Sequence, residues 1–277
     1  MIKETGKEHI MNSVNKKQKT DKAAAKEAQV RVLRLKPVHF KKLAAITEVK
    51  TKALFSKNFI IMPIFAVGFT FVMKLIYGST LEGVPGMSAY CLAMGVLMNI
   101  CMTALYCPAG ALAEEKEKHT LRTLMTSSVN GLEFFLGSLI PVILLTSVVN
   151  VICVFIAGME MDAPQWAVYV AVTTVSAAIG AVIGMIFGIF AKDQVTTGTI
   201  ITPAVLVLMM IPMFCGFSEI LEKISDLLFT GIVFNMLANL AEGITPIDTK
   251  GIIVLAAELI LSVIAFLALY RKNGFER

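Results

Sequence analysis

Six long apolar stretches constrain the fold of this chain more than any other feature. They cover residues 59–77, 87–112, 132–157, 166–190, 198–217 and 252–269. A helix needs about 20 residues to cross the hydrocarbon core of a bilayer, and each stretch is close to that length. Backbone N–H and C=O groups find no water inside lipid and have to be satisfied within the helix itself. The chain therefore reads as an all-α polytopic membrane protein with six transmembrane helices. Of its 277 residues 56% are hydrophobic and 16% charged, against about 25% charged in a soluble domain. That balance excludes a disordered chain, a nucleic-acid-binding module and an ordinary soluble enzyme.

The net charge of +5 hides an asymmetry. Residues 1–58 carry 15 Lys/Arg and 5 Asp/Glu, and the remainder carries 10 basic and 15 acidic residues. Residues 1–36 form a basic, Lys-rich tail too poor in large apolar residues to build a core. In 37–58, Leu43, Ile46, Val49 and Ala53 recur at helical spacing among Lys41, Lys42, Lys50, Lys52 and Lys57. This pattern predicts an amphipathic helix on the inner membrane surface, ahead of a six-span domain over 59–277. No secretory signal pattern precedes the basic stretch, so the N-terminus is expected to stay cytoplasmic. With the N-terminus inside, the inner segments hold 22 Lys/Arg, and three remain: Lys74, Lys223 and Lys250. That excess predicts both termini on the cytoplasmic side of a multi-pass protein of the cell membrane.

The connection 218–250 is the one long outer segment. Ile220, Leu221, Ile224, Leu227 and Leu228 follow a helical period, and a second apolar group follows at Met236, Leu237 and Leu240. Two short amphipathic or re-entrant helices are expected before the last span. Neither an internal repeat nor a matching pair of broken helices is apparent, which weighs against many secondary transporters.

Chemistry-bearing residues are sparse. The five cysteines (Cys91, Cys101, Cys107, Cys153, Cys215) form no CxxC pair and read as small buried apolar residues. The histidines, His9, His39 and His119, all fall on the expected cytoplasmic side. An intramembrane metalloprotease needs His or carboxylate ligands gathered beside its spans, and a Ser–His enzyme needs a membrane His. No metal site is expected, and the chain is not expected to be an enzyme.

The inner loop after the second stretch carries the most information. It reads Ala113-Glu114-Glu115-Lys116-Glu117-Lys118-His119-Thr120-Leu121-Arg122-Thr123-Leu124-Met125. The charged run leads into Leu121, Leu124 and Met125, spaced as on one face of a short helix. An apolar knob with a charged rim suits docking in a partner's groove. On composition alone, a solvated inter-helix loop fits equally well.

This segment resembles the ABC-2 family of ABC transporter permeases. The family pattern is Glu-x-Glu-x-Gly-Thr-Leu, a further Leu, Thr-Pro-Val, and a Gly in the next span. Glu115, Glu117, Thr120, Leu121, Leu124, Ser127, Val129 and Gly137 fall in register, with His119 at the usual Gly and Ser128 at the usual Pro. The resemblance covers 37–277 and leaves out the first 36 residues. It implies an exporter permease that pairs with a second permease copy, as a homodimer or related heterodimer. It also implies two ABC ATPase subunits, with ATP and Mg bound on those partners and no cofactor in this chain. The implied coupling residues are Glu115, Glu117, Thr120, Leu121 and Leu124. The chain has no Gly-x-x-x-x-Gly-Lys-Ser/Thr loop of its own. A secondary transporter or channel without an ATPase is the rival reading. Membrane lipids are the expected surroundings, and nucleic acid is not an expected partner. The apolar span surface carries no code for a cargo.

Four further features stand out. Gly180, Gly184 and Gly188 repeat every fourth residue in span four, a spacing that lets helices approach closely. Packing within one subunit is the favoured reading over a dimer seam. Asn99 and Asn150 lie mid-span and are expected to hydrogen-bond between helices. Pro141, Pro203 and Pro212 can kink their spans. Glu258 is an intramembrane carboxylate, costly unless it has a role. Lys74 is its possible partner, and snorkelling of both to the outer interface is favoured over pairing.

Overall fold

The computed structural model describes residues 39–80, 86–118 and 131–272. No strand occurs among them. A short helix, α1 (Phe40–Leu54), precedes the first span, α2 (Lys57–Thr80). Span two is continuous but changes pitch: α3 (Met87–Asn99), a π-helical segment (Ile100–Tyr106), then α4 (Cys107–Glu117). Spans three to five are α5 (Gly131–Ala157), α6 (Ala163–Phe190) and α7 (Gln194–Met213). Two shorter helices follow, α8 (Glu219–Ser225) and α9 (Phe229–Glu242), and the last span is α10 (Thr249–Lys272). Among the described residues six helices are long and apolar enough to cross a membrane. The six-span, all-α reading therefore holds.

The differences lie at the helix ends, because apolarity marks what lipid tolerates while capping decides where a helix stops. Span two runs on to Glu117 rather than ending at Leu112, so the charged run Glu114–Glu117 is helical. Span five begins at Gln194 and ends at Met213, four residues ahead of the apolar stretch at both ends. Asp193 sets its start by accepting a 2.7 Å hydrogen bond from the Thr196 N–H. Its end passes through Pro212 into a 3-10 turn at Cys215–Phe217. Span six starts at Thr249, where the Asp248 carboxylate accepts from the Gly251 N–H at 2.8 Å.

Span two is the hub: 83% of its apolar window is buried in the protein, against 22% for span one and 17% for span six. Spans one and six turn Ile61, Phe65, Phe71, Ile253, Ile260 and Leu261 outward, as a lipid-facing surface requires. Lipid tails are as apolar as leucine, so packing and polar contacts, rather than water exclusion, hold spans together. Span four begins with a capping box between Asp162 and Gln165 and crosses span two along its glycines. The two helices expected between spans five and six are present, turned 103° from each other. Phe229, Ile232, Val233, Met236, Leu237 and Leu240 bury one face of α9. The periodic apolar face of α8 is not packed in the same way: Ile220 and Ile224 are exposed, as is Leu227 in the turn after it.

The helix expected over 37–58 is observed as Phe40–Leu54, but its buried face differs from the apolar stripe. Ile46, Lys50 and Leu54 are buried, while Val49 is 61% exposed. The expected basic tail, 1–36, lies outside the described residues.

Candidate functional site

The charged end of α4 reaches three other helices, and Glu114 and Glu117 share one partner, Gln194. Glu115 pairs with the ammonium of Lys50 on α1. Lys50 is 6% exposed and sits 4.3 Å from the centroid of the Phe134 ring, at the start of α5. Burial pushes the Lys50 amine below its ordinary value, and the Glu115 charge opposes that shift. Glu114 pairs with Lys118 one turn on and accepts a 2.9 Å hydrogen bond from the Gln194 side chain. Glu117 receives the Gln194 backbone N–H at 3.5 Å. Lys116 donates to the carbonyls of Gly188, Ile189 and Ala191 at 2.8, 2.5 and 3.1 Å. Those carbonyls end α6 and lack helical partners, so the ammonium both satisfies them and offsets the negative end of the helix dipole.

The Glu117 end of span two is thus clamped to α1, to the end of span four and to the start of span five. A displacement there has three direct routes outward. Gly137, the motif glycine of span three, completes the α1 contact. A Cβ at this position would lie 2.6 Å from Ile46 Cγ2, so glycine is what lets α1 close onto α5. Glu115 and Glu117 therefore turn toward neighbouring helices of the same chain. Thr120, Leu121 and Leu124 lie outside the described residues, as do His119, Ser127, Ser128 and Val129.

The polar residues of the span interiors meet farther along span two. Asn99 Nδ2 donates to the Asn150 side-chain oxygen at 2.8 Å and to the Thr146 carbonyl at 2.9 Å. Thr103 donates to the Asn99 side-chain oxygen at 2.7 Å, and the Tyr169 hydroxyl donates to the Asn150 carbonyl at 2.8 Å. Spans two, three and four are tied through this buried group. It sits where the helix widens into the π segment, a feature often found at functional positions. The widened turn also meets the glycines. A Cβ on Gly184 would lie 2.1 Å from the Leu105 carbonyl oxygen, and one on Gly188 3.1 Å from Ala109. Gly180 is looser, with 3.5 Å to Ala104 and Ile100. All three glycines face span two of the same chain.

Glu258 and Lys74 are not brought together. The Lys74 ammonium ends beside Gly158, at the carbonyl end of α5, 3.0 Å from where a Cβ would stand. Such an end attracts a cation. Glu258 instead faces the Phe229 N–H at the start of α9. Among the described residues no group of three or more His, Cys, Asp or Glu could hold a metal ion.

Sequence reasoning missed the roles of Lys50, Lys116 and Gln194. Lys50 was one of five lysines on a helix read as lying in the interface. The available signal was its place on the Ile46–Lys50–Leu54 line, four residues apart on one face. It also missed Gly95 in span two, where a Cβ would lie 1.9 Å from Thr70 Oγ1 of span one.

A family model described as ABC-2 family transporter protein matches residues 7–269. The match begins inside the basic tail, so the likeness reaches 30 residues further toward the N-terminus than the motif-based resemblance, which began at 37. No curated protein matches the chain.

Proposed function

The chain belongs to the ABC-2 transporter family and is an ABC transporter permease, and from that premise we propose that it exports its substrate on the ATP cycle of a separate ATPase. Two ATPase subunits bind from the cytoplasm, carrying the ATP and Mg, and two permease copies face each other across the transport path. Both termini lie in the cytoplasm. The loop over 119–130 is the docking element, with Leu121 and Leu124 as apolar anchors and Thr120 beside them. Glu115 and Glu117 act one step behind it, by holding the loop's stem to the spans.

One observation carries this reading: the loop's stem is the charged end of α4, which is bonded to α1, α6 and α7 at once. A push on the loop then displaces span two, the hub of the bundle, together with the ends of spans four and five. Packed helices transmit such displacements because close-packed interfaces do not deform continuously. The test is Leu121→Glu with Leu124→Glu in the full chain expressed in its native membrane. Loss of an ABC-type ATPase from the co-purified material, with the permease still folded, supports the assignment. Undiminished co-purification and ATP-dependent transport would overturn it.

A further inference from the structure

The bend between α8 and α9 holds an unusual set of buried oxygens. Ser225, the last residue of α8, and Thr230, in the first turn of α9, are both fully buried, and neither hydroxyl has a hydrogen-bond partner. Glu258 arrives at the same bend from span six. The Phe229 N–H faces its carboxylate, while Oε2 is buried without a partner. Leu228 precedes α9 and has no side-chain oxygen to cap it, so Glu258 supplies from another helix the negative charge that a helix start favours. The turn is also compressed: a Cβ on Gly231 would lie 1.9 Å from the Ser225 carbonyl oxygen and 2.4 Å from Ser225 Oγ. Ser225 Oγ is therefore directed into the first turn of α9.

An orphaned buried oxygen is costly, and a carboxylate more so. Three at one bend call for something that satisfies them. The charges around Glu258 show what it carries. Its span packs on α6, whose one titratable group is Tyr169, already donating to the Asn150 carbonyl. On α9 the charged residue is Glu242, at the far end. Asp226, at the bend, is engaged by Lys250 at 2.7 Å and by Asn235 at 3.1 Å. α5 meets α10 at the Phe135–Phe266 stack, about 12 Å along the helix from Glu258, and the acid there is Glu133. No basic side chain pairs with Glu258 among the described residues.

We propose that Glu258, Ser225 and Thr230 form a buried site for a single positive charge, taken up as a proton or as an alkali cation, that locks span six to the start of α9. One charge balances the one carboxylate. A proton removes the charge and lets the carboxyl group donate to an orphaned hydroxyl oxygen, and an alkali cation takes all three oxygens as ligands. Occupied, the site holds α10 against the α8–α9 bend. Empty, it leaves a bare carboxylate in an apolar wall and loosens that contact.

The test uses the full-length protein in lipid nanodiscs and reads its unfolding temperature. In one arm pH falls from alkaline to acid in choline chloride without alkali ions. In the other, NaCl or KCl replaces choline chloride at constant ionic strength and alkaline pH. Wild type should gain stability in at least one arm, and Glu258→Gln should be stable throughout and flat in both. A response to acid alone identifies the proton, and a saturating response to Na+ or K+ over choline identifies the cation. Ser225→Ala with Thr230→Val should shift the midpoint of the responding arm severalfold. Equal responses in wild type and Glu258→Gln, or none in either arm, would overturn the site. Should Glu258→Gln fail to fold, the hydroxyl variants decide, because an unshifted midpoint would refute the three-residue site.

Discussion

Replacing Lys50 with Met tests whether α1 is clamped to span two by a buried charge pair. The side chains of Lys50 and Glu115 are 7% and 18% exposed, so neither charge is well solvated. Removing one partner of a buried pair costs about 3–5 kcal/mol, because the remaining charge loses its counter-ion. The lower end applies, since Met keeps the contact with the Phe134 ring and Glu115 retains some solvent. We therefore expect Lys50→Met to lose about 3 kcal/mol. Glu115→Leu alone should cost a similar amount by stranding the ammonium. The double variant should recover most of the loss, because an apolar pair of similar volume replaces a buried ion pair at little cost. The assay is equilibrium unfolding of all four proteins as a double-mutant cycle. A coupling energy above about 1.5 kcal/mol is expected. Losses that simply add would refute the clamp.

Two predictions separate contacts along span two. Gly184→Ala should cost about 3 kcal/mol or more, because its Cβ would overlap the Leu105 backbone. Gly180→Ala should be neutral or stabilising by up to about 1 kcal/mol, since its Cβ finds ordinary contacts and helical glycine is entropically costly. Comparing unfolding midpoints and gel-filtration profiles checks both, and equal sensitivity at the two positions would contradict the packing described. Asn99→Leu should cost about 1–2 kcal/mol, the upper range for interhelical hydrogen bonds in membranes. Titration with a denaturing detergent measures it, and a variant as stable as wild type would deny the network a structural role.

The site was legible in part. Glu115, Glu117 and Gly137 stand out from spacing and family pattern; the structure places the two glutamates in the last turn of α4 and Gly137 against Ile46 of α1. Their partners were not legible. Lys50 lies 65 residues from Glu115, and Lys116 reaches carbonyls 72 to 75 residues away. No local period encodes such a pairing. Glu258 was conspicuous as a charge in an apolar run, but its neighbour proved to be the start of α9 rather than Lys74.

By itself the sequence determined the helical class, the six spans and the excess of basic residues on one set of loops. Each follows from local composition acting on a short stretch of chain, which a bilayer reads without reference to the rest. The tertiary structure alone decided which apolar faces turn inward: Leu237 is buried and Ile220 exposed. It likewise decided that Lys50 goes into the protein and Val49 outside it. The physical reason is that lipid and protein interior are equally apolar, so hydrophobic pattern cannot tell them apart. Small residues, buried polar groups and charge pairs make that choice, and their partners lie far away in the chain.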